Sequence, residues 1–213
     1  MVLSRTTILL GSGGHARSLV AIFQEQNGEN KISSYSSLEK SDDAFFSSLN
    51  FFGQSTDLPI ASKSWYFLNG LGISLSLAKR QSVFEEYIEI GLTPITLLSE
   101  KASIDKDVNF GAGSQVFPGA CVRTGAQIGV NTVINTGAIV EHDCSIGEGS
   151  FVGPGAIVLG GCKLGKNVLI GAGSIVHPGL LIGDNSVIGS GSLVLSDVEP
   201  NSLLVGSPGK KMS

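Results

Sequence analysis

Residues 134–164 read INTGAIVEHDCSIGEGSFVGPGAIVLGGCKL. An aliphatic residue falls at every sixth place: Ile134, Val140, Ile146, Val152, Val158 and Leu164. Three places after each stands a residue type that tolerates positive φ: Gly137, Asp143, Gly149, Gly155, Gly161 and Asn167. Two places before most of them the side chain is small, as at Ala138, Cys144, Ser150, Ala156 and Cys162. Outward from this stretch the same period runs without a gap from Ile104 to Val194, sixteen repeats in all. Its turn positions run from Asp107 to Asp197 and hold only Gly, Asn or Asp.

A period of six with a kink after each apolar residue is the mark of a parallel β-helix. A short strand points its aliphatic residue inward, the small residue sits at the tight corner, and the Gly, Asn or Asp takes the left-handed backbone that starts the next face. Three faces close one coil, and stacked coils bond their backbones about 4.8 Å apart. The repeats therefore predict a prism of a little over five coils across 99–197, with residues 198–213 as a C-terminal tail.

Composition narrows the function. The chain has 213 residues and a formal net charge of −4, with no long basic run, so nucleic-acid binding has no electrostatic footing. No apolar stretch reaches the roughly 18 residues of a membrane span, and no charged-then-apolar leader opens the sequence. The chain reads as cytoplasmic, with no membrane partner. Three cysteines without CxxC spacing predict neither a disulfide framework nor a zinc site. Cys144 and Cys162, 18 residues apart, read as small core residues stacked on successive coils.

Residues 1–98 lack the repeat and predict a separate domain. A strand over 7–10, the loop GSGGHA at 11–16 and a helix over 17–26 form the opening of a Rossmann-like α/β unit. A second strand is expected at 65–68 and a second helix over 75–90, while 33–48 is polar and ambiguous. Loop glycines of this kind let backbone N–H groups approach a phosphate at a helix N-terminus. NAD would also want an acidic residue about 20 residues on, and the stretch KISSYS at 31–36 has none. That leaves another nucleotide-bearing ligand, or a tight turn with no ligand.

The chemistry concentrates on one histidine. Of His15, His142 and His177, only His142 lies between two acids, Glu141 and Asp143. It occupies an outward position of the repeat, where a carboxylate partner would orient its ring and raise its basicity. Gly160 is one coil further on, 18 residues away, which puts a backbone donor about 5 Å from the His142 backbone. A base beside a free N–H is what acyl transfer from a thioester requires, since one takes the nucleophile's proton and the other holds the oxyanion. A zinc hydratase on the same repeat would need three histidines around a metal, and His142 and His177 are out of register, so no metal is expected.

GSGGHA at 11–16, NTG at 135–137, VEHDC at 140–144, Ile146–Gly147 and GSPGK at 206–210 together resemble the bacterial sugar acetyltransferases of the sialic-acid O-acetyltransferase and UDP-4-amino-sugar N-acetyltransferase family. The resemblance spans nearly the whole chain. It implies a left-handed β-helix and a homotrimer with acetyl-CoA lying between two prisms. It implies ternary-complex transfer to a nucleotide-linked 4-amino-4,6-dideoxy sugar, with His142 as general base and Asp143 as its supporting acid. It also implies that Gly160 holds the thioester oxygen, that Gly171 and Ala172 touch the pantetheine arm, and that Lys210 lies near the CoA phosphates. Gly13, Gly14, His15 and Asn135 would hold the nucleotide sugar. In two places the chain departs from the family. Phe151 stands where a polar residue often meets acetyl-CoA, and the paired aspartates that contact the nucleotide are missing near Tyr35. O-acetylation of a sialic acid, or a trimeric sugar-binding scaffold without catalysis, are the alternatives.

Overall fold

The computed structural model describes residues 6–27, 32–59, 64–73 and 76–212. The chain divides into two compact units, Met1–Leu97 and Leu98–Ser213.

The first unit is built on a five-stranded parallel sheet. Its elements are β1 (Thr7–Leu10), α1 (Gly14–Asn27), β2 (Ser34–Ser36), β3 (Asn50–Phe52), β4 (Tyr66–Asn69), α2 (Leu77–Glu89) and β5 (Thr93–Pro94). Strand order is β3-β2-β1-β4-β5, with the reversal between β1 and β4 that marks a doubly wound sheet. The β1 residues are buried throughout, as expected of a central parallel strand covered on both sides. Leu19, Val20, Ile22 and Phe23 form the buried side of α1. Ser76 caps α2 by accepting from the Lys79 N–H at 3.2 Å, and Gly91 at φ 98° ends it. Three expectations shift. α1 starts at Gly14 rather than 17, directly off the glycine loop. α2 starts at Leu77, the predicted start at 75 lying outside the described residues. The ambiguous stretch 33–48 contains β2 and a 3-10 turn, Ala44–Phe46, capped by Asp43. It gave no apolar signal because the β2 flanks are serines, although Tyr35 and Phe46 are both buried.

The second unit is the left-handed parallel β-helix, with one pair of strand residues per repeat. Face one stacks Ser103–Ile104, Cys121–Val122, Ile139–Val140, Ile157–Val158, Ile175–Val176 and Leu193–Val194. Face two runs from Asn109–Phe110 to Leu181–Ile182, and face three from Leu97–Leu98 to Leu203–Val205. Register is 18 residues throughout the body, as in Cys121↔Ile139↔Ile157. The inward residues from Val116 to Val194 fill one continuous core, while Ile104 and Phe110, in the first coil, are only partly buried. Fourteen of the sixteen predicted turn residues have positive φ. Asp107 and Asp197, the first and last, do not. Their carboxylates instead accept backbone N–H groups, of Gly125 and Leu181 respectively.

The small positions carry a bond pattern of their own. Ser150 and Ser174 donate to carbonyls 15 residues on, those of Gly165 and Gly189, at 2.9 and 2.8 Å. Cys144 and Cys162 place their thiols the same way, toward Leu159 and His177 carbonyls at 3.2 and 3.1 Å. Both cysteines are fully buried, as core residues.

The tail departs from the expected arrangement. The period does not stop at Asp197 but skips two residues and resumes at Val198 and Leu204, both in the core, with Asn201 at φ 57° as their turn. Val187 pairs Leu203, a register of 16 instead of 18. Lys210–Lys211 then folds back antiparallel on Leu204 and Val205, so most of the tail is a capping hairpin. A shortened last coil hides from a search that demands an unbroken six.

Candidate active site

His142 follows the inward residue Val140 at the corner between faces one and two. Asp143 takes the left-handed turn at φ 58°. That backbone swings the Asp143 carboxylate back beside its neighbour, and His142 Nδ1 lies 2.9 Å from Asp143 Oδ2. Since a carboxylate only accepts, Nδ1 carries a proton in this pair, and in the neutral ring that leaves the lone pair on Nε2. Both side chains are open to solvent, at 58% and 72% exposure. The pair faces outward, and His142 is not a core histidine.

The other end of the ring meets Gly160. A Cβ placed on Gly160 would fall 2.5 Å from Nε2 and 2.6 Å from Cε1. Only glycine lets the imidazole lie across the next coil in this way. Gly161 N–H donates to the His142 carbonyl at 2.9 Å, which fixes the two coils in register. No acceptor among the described residues is bonded to the Gly160 amide. The same corner one coil below is also set by a glycine. A Cβ on Gly125 would lie 2.5 Å from Asp143 Oδ1, so the carboxylate rests over bare backbone. Asp107 in turn accepts from Thr124 Oγ1 at 2.7 Å and from the Gly125 N–H at 3.0 Å, and the Thr124 bond draws its carboxyl below the usual range. The sequence reading took Gly125 only as a turn of the repeat and connected neither it nor Thr124 with this corner. The signal that could have found them is their place 18 residues before Asp143 and His142.

The remaining expected residues are spread over other parts of the molecule. Phe151 is buried on face three, and Asn135 follows Ile134 on that face, its Oδ1 accepting from the Thr136 N–H at 2.7 Å. Within one prism neither is on the His142 corner. Gly171 is buried, and a Cβ there would meet Ser190 N at 2.5 Å, so the close approach its glycine permits is to the next coil. Ala172 and Lys210 are exposed. His177 is exposed one coil above Leu159, and its carbonyl holds the Cys162 thiol. In the first unit Gly13 and Gly14 are exposed at the head of α1, and nothing lies within 4 Å of a Cβ built on either. No internal contact requires glycine there, which leaves room for a ligand at the helix N-terminus. By contrast Gly11, at φ 85°, is held between Leu71 and Gly70, and His15 packs beside Gly72. No group of three or more potential metal ligands occurs among the described residues. Nor is any helix among them long and apolar enough to cross a membrane.

Comparison with known proteins agrees with this reading of the fold. Residues 137–178 match the hexapeptide repeat of succinyl-transferase, and residues 161–196 match the bacterial transferase hexapeptide (six repeats). Fold and repeat define the class of architecture, a hexapeptide-repeat β-helix with an α/β unit ahead of it in sequence. Among solved structures, PerB from Caulobacter crescentus, in complex with CoA and GDP-perosamine, is 25% identical with a TM-score of 0.86, covering 98% of this chain and 97% of that one. A histidine-to-asparagine mutant of perosamine N-acetyltransferase from the same organism, with the same two ligands, gives 24%, 0.89, 98% and 97%. The acetyltransferase domain of PglB from Neisseria gonorrhoeae, in complex with acetyl coenzyme A, gives 20%, 0.86, 98% and 99%. No curated protein matches the chain by sequence.

Proposed function

We propose that the chain is an acetyl-CoA-dependent N-acetyltransferase acting on a nucleotide-linked 4-amino-4,6-dideoxy sugar, with His142 as general base. The observation that carries this is the His142 ring, tied at Nδ1 to Asp143 and laid with Nε2 against Gly160. The solved sugar acetyltransferases of the same fold, which hold CoA with GDP-perosamine or acetyl coenzyme A, support the donor and the acceptor class.

The chemistry follows from the geometry. A neutral sugar amine attacks the thioester carbonyl carbon, and Nε2 takes a proton from the nitrogen as the C–N bond forms. The carbonyl oxygen becomes an oxyanion, which the Gly160 N–H is placed to hold. Asp143 supports the imidazolium that results. The intermediate then collapses with loss of the C–S bond, the thiolate leaves, and it receives the proton from His142. Transfer is direct, in a ternary complex, with no acetylated enzyme.

The same reading makes the chain a homotrimer. Face one carries an outward row of Ile139, Ile157, Ile175 and Leu193, with Ile175 still 37% exposed, whereas face two presents Asn109, Gln127, Ser145 and Lys163 before Leu181. Face three is apolar outward as well, through Leu169, Val187 and Leu203, and two apolar faces on one prism fit burial against copies of the same chain in a closed ring. Sedimentation equilibrium tests it, and a monomer at micromolar concentration with full activity refutes it.

Thiol release from acetyl-CoA, measured across GDP-, UDP- and dTDP-linked 4-amino sugars and free sialic acid, tests the activity. Release that needs an amino sugar, and that falls about 10²–10⁴-fold in kcat for His142→Ala, is expected. Near-normal kcat in that variant overturns the assignment of the base. Release with sialic acid alone establishes the hydroxyl acceptor instead.

A further inference from the structure

The peptide group that carries the Gly160 N–H is gripped from inside the prism, by a residue the chemistry above does not use. Its other end is the Leu159 carbonyl, and the Cys144 thiol donates to that carbonyl at 3.2 Å. The Val158 carbonyl, at 4.0 Å, is the more distant acceptor for the same proton. Cys144 is fully buried. The Cys162 side chain one coil on, and burial itself, push its thiol pKa up, so it keeps its proton at neutral pH and serves as a neutral donor. Cys162 gives its own proton to the His177 carbonyl at 3.1 Å.

A trans peptide is planar, and its C=O and N–H point in opposite directions. A carbonyl held toward the core at residue 159 therefore turns the amide of residue 160 outward. That is the arrangement seen here. The Gly160 amide has no acceptor among the described residues, and the exposed His142 ring lies against Gly160. The bond to the carbonyl also polarises the peptide, which strengthens its N–H as a donor. We infer that Cys144 is a positioning residue for the reaction, fixing and polarising from the core the Leu159–Gly160 peptide whose N–H meets the oxyanion. This rests on the acyl transfer proposed above and deepens it.

Coil building alone does not account for the thiol. One coil earlier the same place in the repeat holds Ala126, and Ala138 and Ala156 fill it elsewhere, all three fully buried. Nor does every such grip present a donor. Cys162 holds the His177 carbonyl in the same way, but the next residue is Pro178, whose nitrogen carries no hydrogen. Ser150 holds the Gly165 carbonyl, and the amide that follows, of Lys166, is bonded to Asp184 Oδ1 at 2.8 Å. At Leu159–Gly160 the gripped carbonyl, an amide left for a ligand and the His142 ring coincide.

The test is steady-state thiol release with saturating acetyl-CoA and amino sugar, beside a thermal melt, on Cys144→Ala, Cys144→Ser and Cys162→Ala. Each introduces a residue that the repeat already carries at this place, Ser150 and Ser174 donating to carbonyls at 2.9 and 2.8 Å, so all three should fold. Removing an oxyanion donor outright costs about 10²–10³ in kcat, and Cys144→Ala, which keeps the donor but frees its peptide, should cost about 10-fold. KM for acetyl-CoA should stay near that of the parent. Cys144→Ser restores a donor to the carbonyl and should restore kcat. Cys162→Ala loses the equivalent bond, so its melting temperature should fall as in Cys144→Ala while its kcat stays near that of the parent. A folded Cys144→Ala protein with the parent's kcat overturns the inference. So does an equal loss of kcat in Cys162→Ala, or a Cys144→Ser protein as slow as Cys144→Ala. Should Cys144→Ala not fold, Cys144→Ser decides, a kcat near the parent's supporting the inference and a large loss overturning it. If His142→Ala loses about 10²-fold or more while Cys144→Ala loses nothing, the proposed function stands without this inference. If no amino sugar drives thiol release, both fall.

Discussion

Gly160→Ala isolates the catalytic geometry from everything else. The added methyl would lie 2.5 Å from His142 Nε2, and ordinary contact begins at 3.4 Å, so the imidazole must retreat by roughly 1 Å. A misplacement of that size at a reacting group can cost about 100-fold in rate. The backbone at 160 is not left-handed, so alanine brings no strain. Restricting the unfolded chain should even stabilise the fold by about 0.4–1 kcal/mol. The expected result is a kcat lowered about 100-fold with a melting temperature equal to or above that of the parent. Steady-state thiol release with saturating acetyl-CoA and amino sugar reads the first, and a thermal melt reads the second. A kcat within a factor of two or three of the parent, in a protein that melts normally, would refute the claim that His142 works from the position it occupies here.

Four further outcomes follow. Gly125→Ala should displace the Asp143 carboxylate and cost more activity than Gly191→Ala, a matched left-handed glycine with nothing within 4 Å of its Cβ; equal losses in kcat would show that backbone strain alone is at work. Asp143→Asn should lower kcat by less than His142→Ala, since it removes only the supporting charge, and His177→Ala should be nearly silent; the same thiol assay reads both. Replacing Lys210 and Lys211 with Ser should raise KM for acetyl-CoA several-fold without touching kcat, and it does so without stripping Leu204 from the core as a truncation at Pro200 would. Burial pushes the Tyr87 phenol above its usual pKa, against the opposing bond from Ser36. Its contribution to stability is complete below about pH 10 and is lost as pH rises through the folded value, so Tyr87→Phe should flatten the decline in melting temperature above pH 10.

The prism was legible because its signal repeats. Each inward residue from Val116 to Val194 is predicted by position alone, and a single error would have broken the series. The last coil escaped because two residues are missing from it, and the period resumes only at Val198 and Leu204. The first unit was legible where its strands are apolar, as in β1, and not where β2 buries Ser34 and Ser36 around Tyr35. At the site, His142, Asp143 and Gly160 could be brought together from spacing, because 18 residues equal one coil. What spacing could not supply is direction. The Nδ1 bond to Asp143 and the pressure of the ring on Gly160 depend on side-chain torsions that no periodicity encodes.

The corners of the prism single out one turn residue. One column runs Asp107, Gly125, Asp143, Gly161, Gly179 and Asp197, and only Asp143 in it is a left-handed residue with a side chain. A left-handed residue bearing a Cβ costs about 1 kcal/mol relative to glycine, less for Asp and Asn than for others. The other non-glycine left-handed corners are all asparagines, and three of them recover that cost internally. Asn167 donates to Asn185 at 3.4 Å and Asn185 to Asn201 at 3.3 Å, a ladder that ties successive coils together. Asp143 joins no such ladder. Its two oxygens are directed to the His142 ring and over the bare backbone of Gly125. A corner that bears a charged side chain, withholds it from the stacking bonds and spends it on an exposed imidazole is better explained by chemistry at that imidazole than by stability of the coil.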